Sequence, residues 1–81
     1  MLLYSTRNGK LKDYERLDNS KNGNPRFRVW LDFGNEQKAF KTVSDGTISY
    51  TVENFKKGDV VKAIYHYTKN GNRYLDDLEA V

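Results

Sequence analysis

The chain has 81 residues, 14 Lys and Arg against 11 Asp and Glu for a net charge of +3, no cysteine and one histidine. This length confines it to a single domain, residues 1–81, with a modest core. The missing cysteines exclude disulfides, and one histidine without cysteines cannot build a zinc site.

The run Leu2-Leu3-Tyr4 is too short for a signal peptide, and no later stretch approaches the ~20 apolar residues of a membrane-spanning helix. A soluble, cytoplasmic protein with no membrane association is therefore expected. Charge is uneven: residues 1–28 carry seven basic side chains against three acidic, and the remainder seven against eight. A polyanionic partner contacted by the first third fits that asymmetry.

Gly and Asn punctuate the chain at Asn8-Gly9, Lys21-Asn22-Gly23-Asn24-Pro25, Gly34-Asn35, Asp45-Gly46, Lys57-Gly58-Asp59 and Asn70-Gly71-Asn72. These residues supply the positive φ values of tight turns, so short strands are expected between them. Residues 11–18 fit either a helical or a strand period and are read as a strand, in keeping with their neighbours. In residues 26–33 strict alternation puts Phe27, Val29, Leu31 and Phe33 on one side of a strand and Arg26, Arg28, Trp30 and Asp32 on the other. Two guanidiniums and an indole on one pleated surface can neutralise phosphates and stack a base. The same arginines could instead pair with Asp32 and Glu36 across the hairpin.

Residues 38–43 read as the next strand, with the sides of Ala39 and Phe40 open. Residues 47–52 alternate as a strand with Ile48, Tyr50 and Val52 on one side, which makes Tyr50 a core or dimer-surface residue. Residues 59–68 and 73–79 form the clearest hairpin, but its register is open. Either Ile64 faces in and Tyr65 and Tyr67 face out, or Tyr65 is core and Ile64 and His66 are exposed. Alternation sends Asp76 and Asp77 to opposite faces, which argues against a carboxylate pair. His66 has no partner for a metal and no marked nucleophile to activate. No catalytic residue, cofactor or metal is expected, and the chain is not read as an enzyme.

Strands at this spacing imply an all-β fold, a small five-stranded antiparallel OB-type barrel with an extra hairpin or loop, whose closure removes exposed edges. An OB-type barrel binds ligands over strands 2 and 3, between the loop joining strands 1 and 2 and that joining strands 4 and 5. Here those loops are residues 19–25 and 68–72, rich in Lys, Asn and Gly.

The heptad Trp30-Leu31-Asp32-Phe33-Gly34-Asn35-Glu36 resembles the single-stranded DNA-binding proteins of filamentous phages, of the gene V protein type. They carry an aromatic, then aliphatic-Asp-aliphatic-Gly-Asn-Glu, at a hairpin. Lys21-Asn22-Gly23-Asn24-Pro25 resembles that family's basic loop, Phe40-Lys41-Thr42-Val43-Ser44-Asp45-Gly46 its next strand and turn, and residues 74–81 its closing strand. The resemblance covers roughly residues 20–81, with gaps. It implies a homodimeric five-stranded barrel that coats single-stranded DNA during phage DNA replication, in the cytoplasm of a host cell. It also implies base stacking by Trp30 and DNA contact by Lys21, with Arg16 at a comparable distance before it. Gln37 departs from the pattern, standing where the family has a second exposed aromatic.

The expected partner is single-stranded nucleic acid, DNA ahead of RNA, bound without sequence specificity through Arg16, Lys21, Arg26, Arg28, Trp30, Lys69 and Arg73. The alternatives are a small β-barrel protein-interaction module or inhibitor using the same aromatic surface, and an RNA-binding protein.

Overall fold

The computed structural model describes residues 3–44 and 47–81; the turn expected at Asp45-Gly46 lies outside them. Five strands, β1 (Tyr4–Leu17), β2 (Arg26–Asp32), β3 (Gln37–Thr42), β4 (Val60–Tyr67) and β5 (Arg73–Ala80), close in the order β1-β2-β3-β5-β4 and back to β1. This is an OB-type barrel. It is mixed rather than wholly antiparallel, because β3 and β5 meet in parallel through Lys41↔Tyr74 and Thr42↔Leu75.

One long strand serves both neighbours. The first half of β1 pairs with β4 and the second half with β2. The turn expected at Asn8-Gly9 is therefore absent, and Gly9 sits inside β1 for a different reason. A Cβ there would lie 2.8 Å from Phe33 Cδ1 and 3.0 Å from the Asp32 carbonyl oxygen. The missing side chain allows the end of β2 to cross close over β1, which is a use of glycine distinct from turning.

Alternation along β2 holds: Phe27, Val29 and Leu31 are buried, whereas Arg26, Arg28, Trp30 and Asp32 are half-buried on the outer side. Phe33, beyond the strand, packs against the core with the Arg7 guanidinium 4.2 Å above its ring. Phe40 is also core, with Ala39 outward. Ile48 and Val52 are buried as expected, but residues 47–52 do not form a strand. Two short 3-10 turns, Thr47–Tyr50 and Val52–Asn54, run there instead, and they leave Tyr50 65% exposed. Ile48 and Val52 are four apart, a spacing that suits a helical turn as well as a strand, so the alternation was ambiguous.

Register is settled in the last hairpin by Tyr65↔Leu75 and His66↔Tyr74, which places Tyr65 in the core. A bulge follows, since Ile64 pairs with Asp77. The extra residue, Asp76, breaks alternation, so Leu75 and Leu78 are both buried and the expected opposition of Asp76 and Asp77 fails. No helix among the described residues is long and apolar enough to cross a membrane.

Candidate nucleic-acid interface

The two loops that flank β2 and β3 share one construction. Ser20-Lys21-Asn22-Gly23-Asn24 and Thr68-Lys69-Asn70-Gly71-Asn72 match at every position but the first, where both have a hydroxyl. In the first, Ser20 N–H donates to the Asn24 carbonyl at 2.9 Å and Gly23 N–H donates to the Ser20 carbonyl at 2.9 Å. In the second, Thr68 N–H donates to the Asn72 carbonyl at 2.9 Å and Gly71 N–H to the Thr68 carbonyl at 3.0 Å. The hydroxyl of each turn accepts from the backbone N–H of its final Asn at 3.2 Å. Both glycines adopt positive φ, 81° at Gly23 and 82° at Gly71. Each closed turn thus carries an exposed lysine, Lys21 or Lys69, at its second position.

The first turn is further braced. Asn24 Nδ2 donates to the Ser44 carbonyl at 2.9 Å, and Tyr50 Oη donates to Asn24 Oδ1 at 2.9 Å. Tyr50, expected in the core or at a dimer surface, ties the loop to the 3-10 segment.

Between the loops lie two adjoining hollows. The first, about 590 Å3, is walled by the first turn, the end of β3, and His66 and Tyr74. The second, about 270 Å3, lies between Arg28, Ala39 and Lys41 on one side and Gly71, Asn72 and Arg73 on the other. Tyr74 lines both, and among the described residues neither has an acidic side chain in its wall.

Lys21 and Arg26 line the first hollow, and Arg28 and Arg73 the second. Arg26 is half-buried, and its Nε is buried with no hydrogen-bond partner among the described residues. Arg28 pairs with Glu15 at 2.9 Å, and neither arginine meets Asp32 or Glu36. Asp32 accepts instead from Gly34 N–H at 2.8 Å. Arg73 donates to the Ala39 carbonyl at 3.2 Å, on the stretch of β3 that β5 does not cover. Lys69 is exposed at the rim and lines neither hollow.

Trp30 also lies outside both walls. It is half-buried on the outer face, paired with Asp13 on β1 and Ala39 on β3, and has no other aromatic ring packed on it among the described residues. Arg16 is not brought to this surface. It pairs opposite Phe27, in the inward series, and at the barrel end its guanidinium lies over the Phe27 ring at 5.6 Å while bonding Asn19 and the Leu17 carbonyl.

No protein-family model, curated protein or solved structure matches the chain.

The cationic ground therefore lies toward β3 and the loops. On the β1 side, Asp13 and Glu15 are held by Lys57 at 3.0 Å and by Arg28. Lys57 and the Tyr14 N–H keep the Asp13 carboxyl below its usual range. Sequence reasoning missed Lys41 and Tyr74. Lys41 needed the side of Phe40, and Tyr74 the register of the last hairpin. The repeated Lys-Asn-Gly-Asn was the available signal that two matching turns face one site.

In the turn between β2 and β3, Glu36 accepts from Arg7 Nη1 at 2.7 Å and lies 3.7 Å from Lys38 Nζ. The Arg7 hydrogen bond, chiefly, holds the Glu36 carboxyl below the usual carboxylate range. Because the folded value is the lower one, the unfolded chain binds the proton more readily. The contribution is complete above the ordinary glutamate value and is lost as pH falls through it toward the depressed one. Glu36→Gln is expected to lower the urea midpoint at neutral pH and to approach the wild type as pH falls through the depressed value of Glu36, below which both side chains are neutral. A deficit that persists unchanged in acid would show that the charge is not what Glu36 contributes.

Proposed function

We propose that the chain binds single-stranded nucleic acid, DNA ahead of RNA, without reading base sequence. The observation that carries this reading is the set of four cations, Lys21, Arg26, Lys41 and Arg73, that line two adjoining hollows. None of the four has a carboxylate partner among the described residues. An exposed cation that serves stability is usually near an acid, and even then contributes only about 0–1 kcal/mol. Four without one, between two lysine-bearing turns on an OB-type barrel, suit a phosphate backbone better.

Trp30 supplies a flat, sequence-tolerant surface beside that ground, since every base has a π-face. The likeness of residues 30–36 to the gene V protein type supports DNA as the strand, a homodimer as the acting form and phage DNA replication as the setting. The activity is binding alone, with no catalytic step.

Neutralising four phosphates gives log K against log salt a slope of roughly −3, from about −0.7 per contact on a single strand. Fluorescence anisotropy of labelled oligo-dT across a salt series measures it. A flat response, or no binding at low salt, would refute the proposal and leave the protein-interaction reading in its place.

A further inference from the structure

The outward residues of all five strands form a row around the barrel. Tyr4 on β1 pairs with His66 on β4, His66 with Tyr74 on β5, Tyr74 with Lys41 on β3, and Lys41 with Arg28 on β2. The row begins as three touching rings. Tyr4 meets His66 edge to face at 5.5 Å, and His66 stacks on Tyr74 at 5.7 Å with 24° between planes. His66 is only 8% exposed although it points away from the core, and its Nδ1 lies 2.7 Å from Asp76 Oδ2. It is the fixed middle of the column, and Tyr74 is the column's end.

What lies beyond Tyr74 is cationic on both sides, with Lys21 and Arg26 in one hollow and Arg28, Lys41 and Arg73 in the other. A ring held from behind loses little freedom when another ring lands on it, so stacking there costs little ordering entropy. The first hollow, at about 590 Å3, falls within the range that encloses a small ligand. Arg26 and Lys21 both line this hollow without a carboxylate partner among the described residues, so an anionic oxygen seated there would meet two uncompensated cations.

Resting on the single-strand reading above, we infer that Tyr74 is a base-stacking residue and that the first hollow seats one nucleotide of the bound strand, its phosphate on Arg26 and Lys21. The strand then has two aromatic stations, Trp30 on β2 and Tyr74 on β5, separated by Arg28 and Lys41. The second station lies on a different strand of the barrel from the first, so a bound chain crosses the sheet rather than following β2.

The test uses the wild-type protein and oligo-dT carrying single 5-iododeoxyuridine substitutions, cross-linked by light and mapped by peptide mass spectrometry. Adducts on Tyr74 are expected, from a substitution position different from that which labels Trp30. Adducts confined to Trp30 would overturn the inference and leave the single-strand reading intact; absence of oligo-dT binding would overturn both. In titrations, Tyr74→Leu is expected to weaken binding about tenfold, and Tyr74→Phe to keep it near wild type. Arg26→Gln is expected to make the salt slope shallower by about 0.7. Should Tyr74→Leu fail to fold, the wild-type adduct map decides.

Discussion

Phe40→Ala is expected to remove about 3–5 kcal/mol of folding stability. Phe40 is 1% exposed, with the Tyr65 ring 4.9 Å away and the Phe33 ring 6.2 Å away. Truncation strips aromatic contacts from both and opens a cavity that a closed sheet can collapse only partly. Small domains hold only about 5–15 kcal/mol in total, and in one of this size each kcal/mol moves Tm by roughly 4–8 °C. A fall on the order of 20 °C in a calorimetric scan is the expected result. Phe40 also lines the second hollow, so binding by whatever folded fraction remains should weaken as well. A loss below about 1 kcal/mol would contradict the placement of Phe40 at the centre of the core.

Trp30→Ala is expected to raise the dissociation constant for oligo-dT by about 5- to 150-fold, the equivalent of about 1–3 kcal/mol for one stacked base. The indole lies on the outer face between Asp13 and Ala39, while the buried members of β2 are Phe27, Val29 and Leu31. Removing it should therefore leave the circular dichroism spectrum and the cooperative melt in place. Anisotropy of a labelled oligonucleotide is the suitable readout, because the substitution deletes the only tryptophan. Unchanged affinity would take Trp30 out of the interface, and loss of folding would show that the half-buried ring is needed for packing instead.

Most of the strands, the alternation of β2 and the turns at Gly23, Gly34, Gly58 and Gly71 were legible in the chain. Each depends on a local rule: period two for a pleated surface, positive φ for glycine. Residues 47–52 misled because a buried pair four apart satisfies two periods at once. Asn8-Gly9 misled because a glycine that turns the chain and one that admits a crossing strand look alike in sequence.

The candidate site was legible in its parts but not in its assembly. Lys21, Arg26, Arg28 and Arg73 line the hollows, whereas Arg16, with the same charge, is drawn over Phe27 by its inward register at the barrel end. Trp30 and Lys69 stay at the margin. Lys41 and Tyr74 are brought side by side by the parallel pairing of β3 with β5, a contact between residues 33 positions apart that no local pattern encodes.

By itself the amino-acid sequence determined that these residues form an all-β fold with a cationic, aromatic strand, since composition and period two act over a few residues at a time. Which cations share a hollow, which stay with acids, and that His66 and Tyr74 end a column of rings were decided by the closure of the barrel. Closure sets register, and register alone chooses the neighbours of an outward side chain on the next strand.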